Sequence, residues 1–91
     1  MIKLDKPRKS TTRKGVQRFR LDDVFHREDG PAIEHPNGYR EWWQKGQLHR
    51  DDGPAVESHL GRKEWWIHGK CVKVEWPKDI DQKWLLLDIE D

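Results

Sequence analysis

The amino-acid sequence predicts a mainly β fold, an antiparallel meander of 23-residue repeats with a short C-terminal helix. Three observations support this prediction. The segment HREDGPA at residues 26–32 recurs as HRDDGPA at residues 49–55. Turn-forming residues follow one another about every six to ten positions, which leaves no room for a helix before Pro77. Six tryptophans in 91 residues provide apolar surface to a chain in which 38% of the residues are charged.

The repeat extends beyond its most similar segment. The same offset of 23 relates Gly38 to Gly61, Gly46 to Gly69, and the EWW triplet at 41–43 to that at 64–66. One period upstream, Gly15 and Phe19 fall on Gly38 and Trp42, so a degraded half-copy precedes the two clear ones. Repeats of this length predict a sheet that grows by one supersecondary unit at a time.

Within each copy, the turn residues divide the chain into short strands. Asn37-Gly38 is a turn signal between the segments 32–35 and 39–44, which we expect to pair as a hairpin. Lys45-Gly46 and its equivalent at 68–69 supply the next turns. The sequence therefore predicts a repeat-sheet domain over residues 15–76.

Comparison of the copies predicts the two faces of this sheet. Because successive strand residues point to opposite sides, Trp42 and Trp43 cannot share a face. We expect a core face formed by the slots that stay apolar between copies: Phe19, Trp42, Trp65, Phe25, Leu48, Cys71, Ile33 and Val56. Trp43 and Trp66 then lie on the second face, one repeat apart.

The residues after Pro77 predict a helix over 77–91. Asp79 with Gln82 resembles a capping box, and the apolar residues that follow would surround such a helix almost completely. A helix this short is unstable alone, so it must pack on the sheet or on a partner. Whether residues 79–89 cover Trp43 and Trp66 stays open at this point.

The charge is distributed unevenly along the chain. Residues 1–20 carry a net charge of +7 and residues 75–91 a net charge of −4, although the whole chain has +1. The segment 7–15 has no apolar residue, which predicts a basic, flexible arm over residues 1–14. The near-neutral total argues against both a uniformly basic nucleic-acid binder and an acidic nucleic-acid mimic.

Several classes of protein are disfavoured by composition. The single Cys71 excludes an internal disulfide framework and fits a reducing cytoplasm, the compartment we expect. No apolar stretch is long enough for a membrane span, and the N-terminal segment lacks a signal-peptide core. Diagnostic zinc spacing, a phosphate-binding glycine loop and a nucleophile elbow are all missing, so we expect no metal, cofactor, catalytic residue or enzymatic activity.

The repeated histidines admit two interpretations. His26 and His49 are each followed by an arginine and an Asp-Gly turn, a set that could bind phosphate or move protons. A motif that is duplicated together with its turn is more economically structural. In that interpretation, the histidine bonds turn backbone while Arg27 and Arg50 stack on tryptophan or pair with acids.

The pattern HRxDGPA followed by GxxxWWxxG resembles a variant of the MORN-like repeats that is common in small bacterial and bacteriophage proteins. The resemblance covers about residues 15–72. It departs from the Tyr-x-Gly periodicity of the standard repeat, which disfavours phospholipid binding. The resemblance implies a β-sheet interaction module, and a phage-encoded protein of this size is often an inhibitor of a host enzyme or defence system.

These observations predict a non-enzymatic protein-binding module that acts by occluding a partner's surface, in the host cytoplasm if it is phage-encoded. The predicted partner-binding residues are Trp43, Trp66, Tyr39, Arg62, Arg27 and Arg50. An alternative is single-stranded nucleic-acid binding through exposed tryptophans and the basic residues Lys6, Arg8, Lys9, Arg13 and Lys14. A second alternative is a self-assembling structural repeat that closes its edges as a homodimer.

Overall fold

The computed structural model describes residues 6–77, and within them the chain is a mainly antiparallel β-structure without a helix. The predicted C-terminal helix over 77–91 lies, apart from Pro77, outside the described residues. The ten strands are β1 (Arg8–Thr11), β2 (Gln17–Leu21), β3 (Val24–Phe25), β4 (Ile33–Glu34), β5 (Arg40–Glu41), β6 (Trp43–Gln44), β7 (Gln47–Leu48), β8 (Val56–Glu57), β9 (Lys63–Ile67) and β10 (Lys70–Glu75).

The strands form one main sheet in the order β1-β2-β4-β5-β8-β9-β10, and β3 pairs with β2. Strands β6 and β7 form a separate two-stranded hairpin, because the ladder is interrupted at Trp42. Every pairing is antiparallel. The three segments 8–30, 31–53 and 54–76 occupy equivalent places along the sheet, and we call them copies 1, 2 and 3.

The first strand lies where the sequence analysis expected an arm. Residues 8–11 pair with β2 in the register Arg8↔Arg20 to Thr11↔Gln17, with all four side chains of β1 exposed. One repeat downstream, the same slots belong to β4. The segment 8–14 is therefore the start of a complete first copy, in which exposed polar side chains on an edge strand replace the apolar ones of copies 2 and 3.

Each copy contains the same five-residue hairpin loop, at 12–16, 35–39 and 58–62. In each loop, the first residue's N–H donates to the carbonyl of the fifth, and the glycine N–H donates back to the carbonyl of the first, all at 2.9–3.0 Å. The glycine has a φ of 88°, 99° and 97° in the three copies. This left-handed conformation explains why glycine recurs at Gly15, Gly38 and Gly61.

A tight two-residue turn follows in every copy, at Asp22-Asp23, Lys45-Gly46 and His68-Gly69. Both residues of each turn have positive φ, between 46° and 79°, as a type I′ turn requires. Copy 1 forms this turn with two aspartates, because short polar side chains tolerate the left-handed region better than most. The sequence showed no glycine there, so this turn was not predicted.

Besides the strand ladder, three hydrogen bonds at each junction join the turn of one copy to the preceding copy. Between copies 1 and 2, the Lys45 N–H donates to His26 Nδ1 at 2.9 Å and the Gly46 N–H donates to the Phe25 carbonyl at 2.9 Å. The Arg27 N–H donates back to the Trp43 carbonyl at 3.0 Å. The junction between copies 2 and 3 repeats this arrangement. The buried histidine of one copy thus holds the turn of the next.

The predicted core face is wrong in its composition. Among the described residues, the buried apolar side chains are Ala32, Ala55 and Val56. Val56 lies opposite Glu41 and Glu64 in the ladder, and Ile33 also lies opposite Glu41, so both share a face with those glutamates and not with Trp42. The assignment of side chains to the two faces depends on the register between strands and on the interruption of the ladder at Trp42. Neither can be deduced from the sequence of a single copy.

Ala32 and Ala55 lie among the periodic aromatic rings of the other face. The Phe19 N–H donates to the Ala32 carbonyl and the Trp42 N–H to the Ala55 carbonyl, both at 2.7 Å. A small residue therefore separates the large rings along this row. The predicted alignment of Phe19, Trp42 and Trp65 with one another is consistent with this register.

The C-terminal edge of the sheet is irregular. The register of β10 against β9 shifts between Cys71 and Lys73, so Val72 is an unpaired bulge residue with 63% of its surface exposed. Cys71 is exposed, which contradicts its predicted place in the core. A bulge of this kind makes an edge strand a poorer template for further pairing.

Candidate binding surface

Four of the six predicted partner-binding residues lie together on one face of the sheet. Tyr39, Trp43, Arg62 and Trp66 surround Glu41 and Glu64, and we call this side the clamp face. Trp43 and Trp66 are each half-buried. Arg27 and Arg50 lie over the opposite side, where they cover the aromatic rings of Phe19 and Trp42.

Glu41 holds two aromatic side chains in place. Its Oε1 accepts a hydrogen bond from the Trp43 indole Nε1, and its Oε2 accepts one from the Tyr39 hydroxyl, both at 2.8 Å. The three residues are two positions apart in the sequence, and the two hydrogen bonds place their side chains on one face. Both carboxylate oxygens of Glu41 are therefore engaged.

Copy 3 repeats this clamp with an arginine in place of the tyrosine. The Trp66 Nε1 donates to Glu64 Oε1 at 2.8 Å, and Arg62 Nε lies 3.2 Å from Glu64 Oε2. The side chains of Arg62 and Glu64 are 13% and 19% exposed, which reduces the screening of this ion pair by solvent. The indole orientation is fixed in the same way in both copies.

Apolar surface continues from the copy 3 clamp toward the C-terminal edge. Val74 lies opposite Glu64 in the ladder and is 44% exposed. The guanidinium of Arg62 lies 5.6 Å from the ring centre of Trp76, which is 45% exposed. Trp76 is not among the partner-binding residues that the sequence predicts. Its spacing of two residues from Val74 was the available signal, because residues two apart on a strand lie on the same face.

In copy 2 the clamp is continuous with a second aromatic contact. The rings of Phe25 and Trp43 have centres 5.5 Å apart in a tilted arrangement. Leu48 is the ladder partner of Trp43. Trp43 is thus supported on one side by copy 1 and on the other by its own hairpin.

The opposite face presents a row of rings covered by cations, at intervals of one repeat. The guanidinium carbons of Arg27 and Arg50 lie 4.0 Å from the ring centres of Phe19 and Trp42. Lys73 Nζ lies 4.7 Å from that of Trp65, in the equivalent place of copy 3. Such contacts are stabilising, and they shield the rings from water. This confirms the structural interpretation of the arginines in the repeated motif.

The arginines of this row are positioned by the acids that follow them. Arg27 Nε donates to Asp29 Oδ1 at 2.9 Å, and Arg50 Nε donates to Asp52 Oδ1 at 3.1 Å. The hydrogen bond from Arg27 and the positive charge of that residue hold the pKa of Asp29 below its usual range. Glu57 adds a second carboxylate, 3.3 Å from Arg50.

The repeated histidines are held within the junctions between copies. His49 is 5% exposed, its Nδ1 accepts the His68 N–H at 2.9 Å, and its Nε2 lies 3.0 Å from Asp51 Oδ1. Because Nδ1 is an acceptor, the ring proton of neutral His49 lies on Nε2 and points toward the carboxylate. The structural interpretation of the repeated histidines is therefore confirmed, since both bond turn backbone.

The five basic residues of the nucleic-acid alternative lie at the N-terminal edge. Lys6, Arg8 and Lys9 line a groove of about 770 Å³ together with Arg20, Asp22 and Asp23. Arg13 and Lys14 lie in the loop between β1 and β2 and are exposed. Sequence reasoning assigned this function to the presumed arm and missed Arg20, which occupies the slot that Trp43 fills in copy 2.

Two further properties concern the part of the chain from residue 6 to 77. No cluster of three or more His, Cys, Asp or Glu side chains there could hold a metal ion. No helix long and apolar enough to cross a membrane occurs among these residues.

No protein-family model, curated protein or solved structure matches the chain.

Proposed function

We propose that this chain is a non-enzymatic protein-binding module of MORN-like repeats arranged as a meander, and that its partner docks on the clamp face. The observation that carries the proposal is the pair of tryptophan–glutamate clamps at Trp43 and Trp66. Each clamp fixes an indole ring at the surface before any partner binds, which lowers the entropy lost on association. Tryptophan, tyrosine and arginine are also the residues that most often dominate protein interfaces.

Exposure within the clamp face favours its copy 3 end as the docking centre. Trp66, Val74 and Trp76 form apolar surface there, and Arg62 supplies a charge beside it. The described residues form a body whose smallest extent is 16 Å, as expected for a single sheet with side chains on both faces. No described residue forms a second layer over Val74 or Trp76, which are both partly exposed.

The resemblance to repeats of bacterial and phage proteins suggests the kind of partner. We propose a host enzyme or defence protein in the cytoplasm, inhibited by occlusion of its surface. The chemistry of the clamp face requires an apolar patch on that partner. Homodimerisation through the same face is the alternative, and it would place a second copy on this apolar surface.

The test compares Val74→Lys with Val72→Lys. Both valines are exposed on β10, but only Val74 has a ladder partner in the clamp, Glu64, because Val72 is the unpaired bulge residue. A partner identified by affinity purification from the native host is purified, and its affinity for each variant is measured. We expect Val74→Lys and Trp76→Ala to weaken binding at least tenfold, with Val72→Lys close to wild type.

Two results would count against the proposal. Equal loss of affinity in both valine variants would place the interface elsewhere, and a stable dimer by light scattering that Val74→Lys converts to monomer would make the partner a second copy. The double variant Trp43→Ala, Trp66→Ala gives a further control. If it unfolds, its loss of binding reports on stability, and the exposed Val74 and Trp76 variants decide the question.

A further inference from the structure

The arginines of the described residues fall into two groups. Arg27, Arg40, Arg50 and Arg62 each lie within 3.2 Å of a carboxylate oxygen. Arg8, Arg13, Arg18 and Arg20 pair with no carboxylate in the described part of the chain. The unpaired group lies entirely within 8–20, so the sheet neutralises its other arginines and leaves the N-terminal hairpin positively charged.

Three of the unpaired arginines share one face of this hairpin. Arg8 and Arg20 are direct ladder partners, and Arg18 lies two residues from Arg20, about 7 Å along the strand. Like charges directly opposite each other destabilise an antiparallel pair. The described residues provide no carboxylate that pairs with these guanidinium groups.

Copies 2 and 3 carry a glutamate at the position that Arg18 occupies in copy 1. Arg18 occupies the slot of Glu41 and Glu64, whose carboxylates hold the clamps of copies 2 and 3. Its Nε is buried and has no hydrogen-bond partner among the described residues. Copy 1 thus reverses the charge at the centre of the clamp, so this face of the sheet attracts anions in copy 1.

Aromatic surface lies next to the arginines. The guanidinium of Arg20 is 5.0 Å from the ring centre of Phe25, which in turn contacts Trp43. A groove of about 440 Å³ is lined by Arg20, Val24, Phe25, Trp43, Gly46 and Asp23. It shares Arg20 with the larger basic groove at the edge, so a ligand with alternating anionic and planar groups could occupy both.

We infer that Arg8, Arg18 and Arg20 bind the phosphates of a single-stranded nucleic acid whose bases stack beside Phe25 and Trp43. Guanidinium groups match phosphate oxygens with two parallel hydrogen bonds, and aromatic rings accept any base. The carboxylates of an acidic protein would pair with the arginines but would not themselves stack on the adjoining rings. Asp22 and Asp23 also line the larger groove, and Asp23 lines the smaller one. Because both carboxylates repel phosphate, the strand would follow the arginines.

The test uses the full chain and a fluorescent 15-nucleotide oligo(dT), with binding followed by anisotropy at 50 mM and 200 mM salt. The variant Arg8→Gln, Arg18→Gln, Arg20→Gln is compared with Lys45→Gln, Lys63→Gln, Lys70→Gln. The second variant removes the same charge at exposed sites outside the grooves. We expect each lost arginine to weaken binding about tenfold, since hydrogen bonds to charged groups contribute about 1.5 kcal/mol or more.

The salt dependence and the ring contribution give independent readouts. Three phosphate contacts to a single strand predict a slope of about −2 in log K against log salt, reduced toward zero in the arginine variant. Phe25→Leu should weaken binding to oligo(dT) while leaving this slope unchanged. If the triple variant unfolds, Arg8→Gln, which changes an exposed edge residue, decides the question.

Three outcomes would overturn the inference. One is the absence of saturable binding at 50 mM salt. Another is equal weakening by the lysine variant, which would indicate nonspecific attraction. The third is displacement of the oligonucleotide by an equal charge concentration of polyglutamate with no effect of Phe25→Leu, which would identify the site as one for acidic proteins. None of these results depends on the copy 3 end of the clamp face, so the proposed protein-binding function is tested separately.

Discussion

The backbone N–H of His68 donates a 2.9 Å hydrogen bond to Nδ1 of His49, nineteen residues earlier in the chain. The same bond joins Lys45 to His26. Each histidine is buried at the end of one copy and binds the turn of the next, so the stacking of copies depends on a side chain as well as on ladder bonds. The histidine is thus the specific connector between repeats.

Replacement of His49 by alanine should destabilise the protein by about 1–3 kcal/mol, because the His68 N–H would lose its acceptor in a partly buried junction. His26→Ala should cost a similar amount at the other junction. His59→Ala is the control, since His59 is exposed, and it should stay within about 0.5 kcal/mol of wild type. Urea unfolding followed by tryptophan fluorescence measures the differences. Equal stability of His49→Ala and His59→Ala would contradict the connector role.

Asp23→Gly should stabilise the protein by about 0.5–1 kcal/mol. Asp23 has a φ of 67° at the place where copies 2 and 3 use glycine, and a residue with a side chain is strained there. The converse substitution Gly46→Ala should cost more than about 1 kcal/mol, because its Cβ would also lie 3.3 Å from Val24 Cβ. Thermal unfolding by circular dichroism checks both signs. A destabilised Asp23→Gly variant would show that the Asp23 carboxylate makes a compensating contact.

Removal of the Glu64 carboxylate should loosen the copy 3 clamp. Glu64→Ala leaves the Trp66 indole N–H and Arg62 without their shared acceptor, at a cost of about 1–2 kcal/mol. Glu75→Ala is the control, because its ion pair with Lys73 is at 3.6 Å and more than half exposed. Hydrogen exchange of the Trp66 indole, followed by NMR, should accelerate in Glu64→Ala and not in Glu75→Ala. Unchanged exchange in both would mean that packing, and not Glu64, orients the indole.

The Arg27–Asp29 contact predicts a specific titration. Because the folded-state pKa of Asp29 is lowered, this contact stabilises the fold above the unfolded-state pKa and is lost as pH falls through the folded-state value. Arg27→Ala should return the pKa of Asp29 to its usual range. Carboxyl-carbon NMR titration of the two proteins measures the shift. An unchanged pKa in Arg27→Ala would assign the lowering to another group.

The periodic features of the fold could be predicted from the sequence. The 23-residue offset located the hairpin loops through Gly38 and Gly61, and duplication of the histidine together with its turn indicated a structural role. The first copy was recognised only from Gly15 onward, because β1 carries Lys9 where Ala32 and Ala55 lie in the other copies. A polar edge strand and a solvated arm have the same composition, and only pairing distinguishes them.

The candidate site was predicted in part. Tyr39, Trp43, Arg62 and Trp66 do share a face, but Arg27 and Arg50 lie over the other one. Which rings they cover, Phe19 and Trp42, depends on how the chain folds back after each turn, which no local pattern encodes. Trp76 and Arg20 join their surfaces through cross-strand neighbours that are distant in the sequence.

By itself, the sequence determined the period, the turns and the residue types that recur in each copy, because these depend on backbone conformation and on repetition along the chain. The tertiary structure decided which side chains share a face, which arginines are neutralised and which are not, since these depend on register between strands. Glu41, Glu64 and Arg18 show the difference. They occupy equivalent positions of the repeat. In the folded sheet each glutamate accepts a hydrogen bond from a tryptophan indole, whereas Arg18 has no carboxylate partner among the described residues.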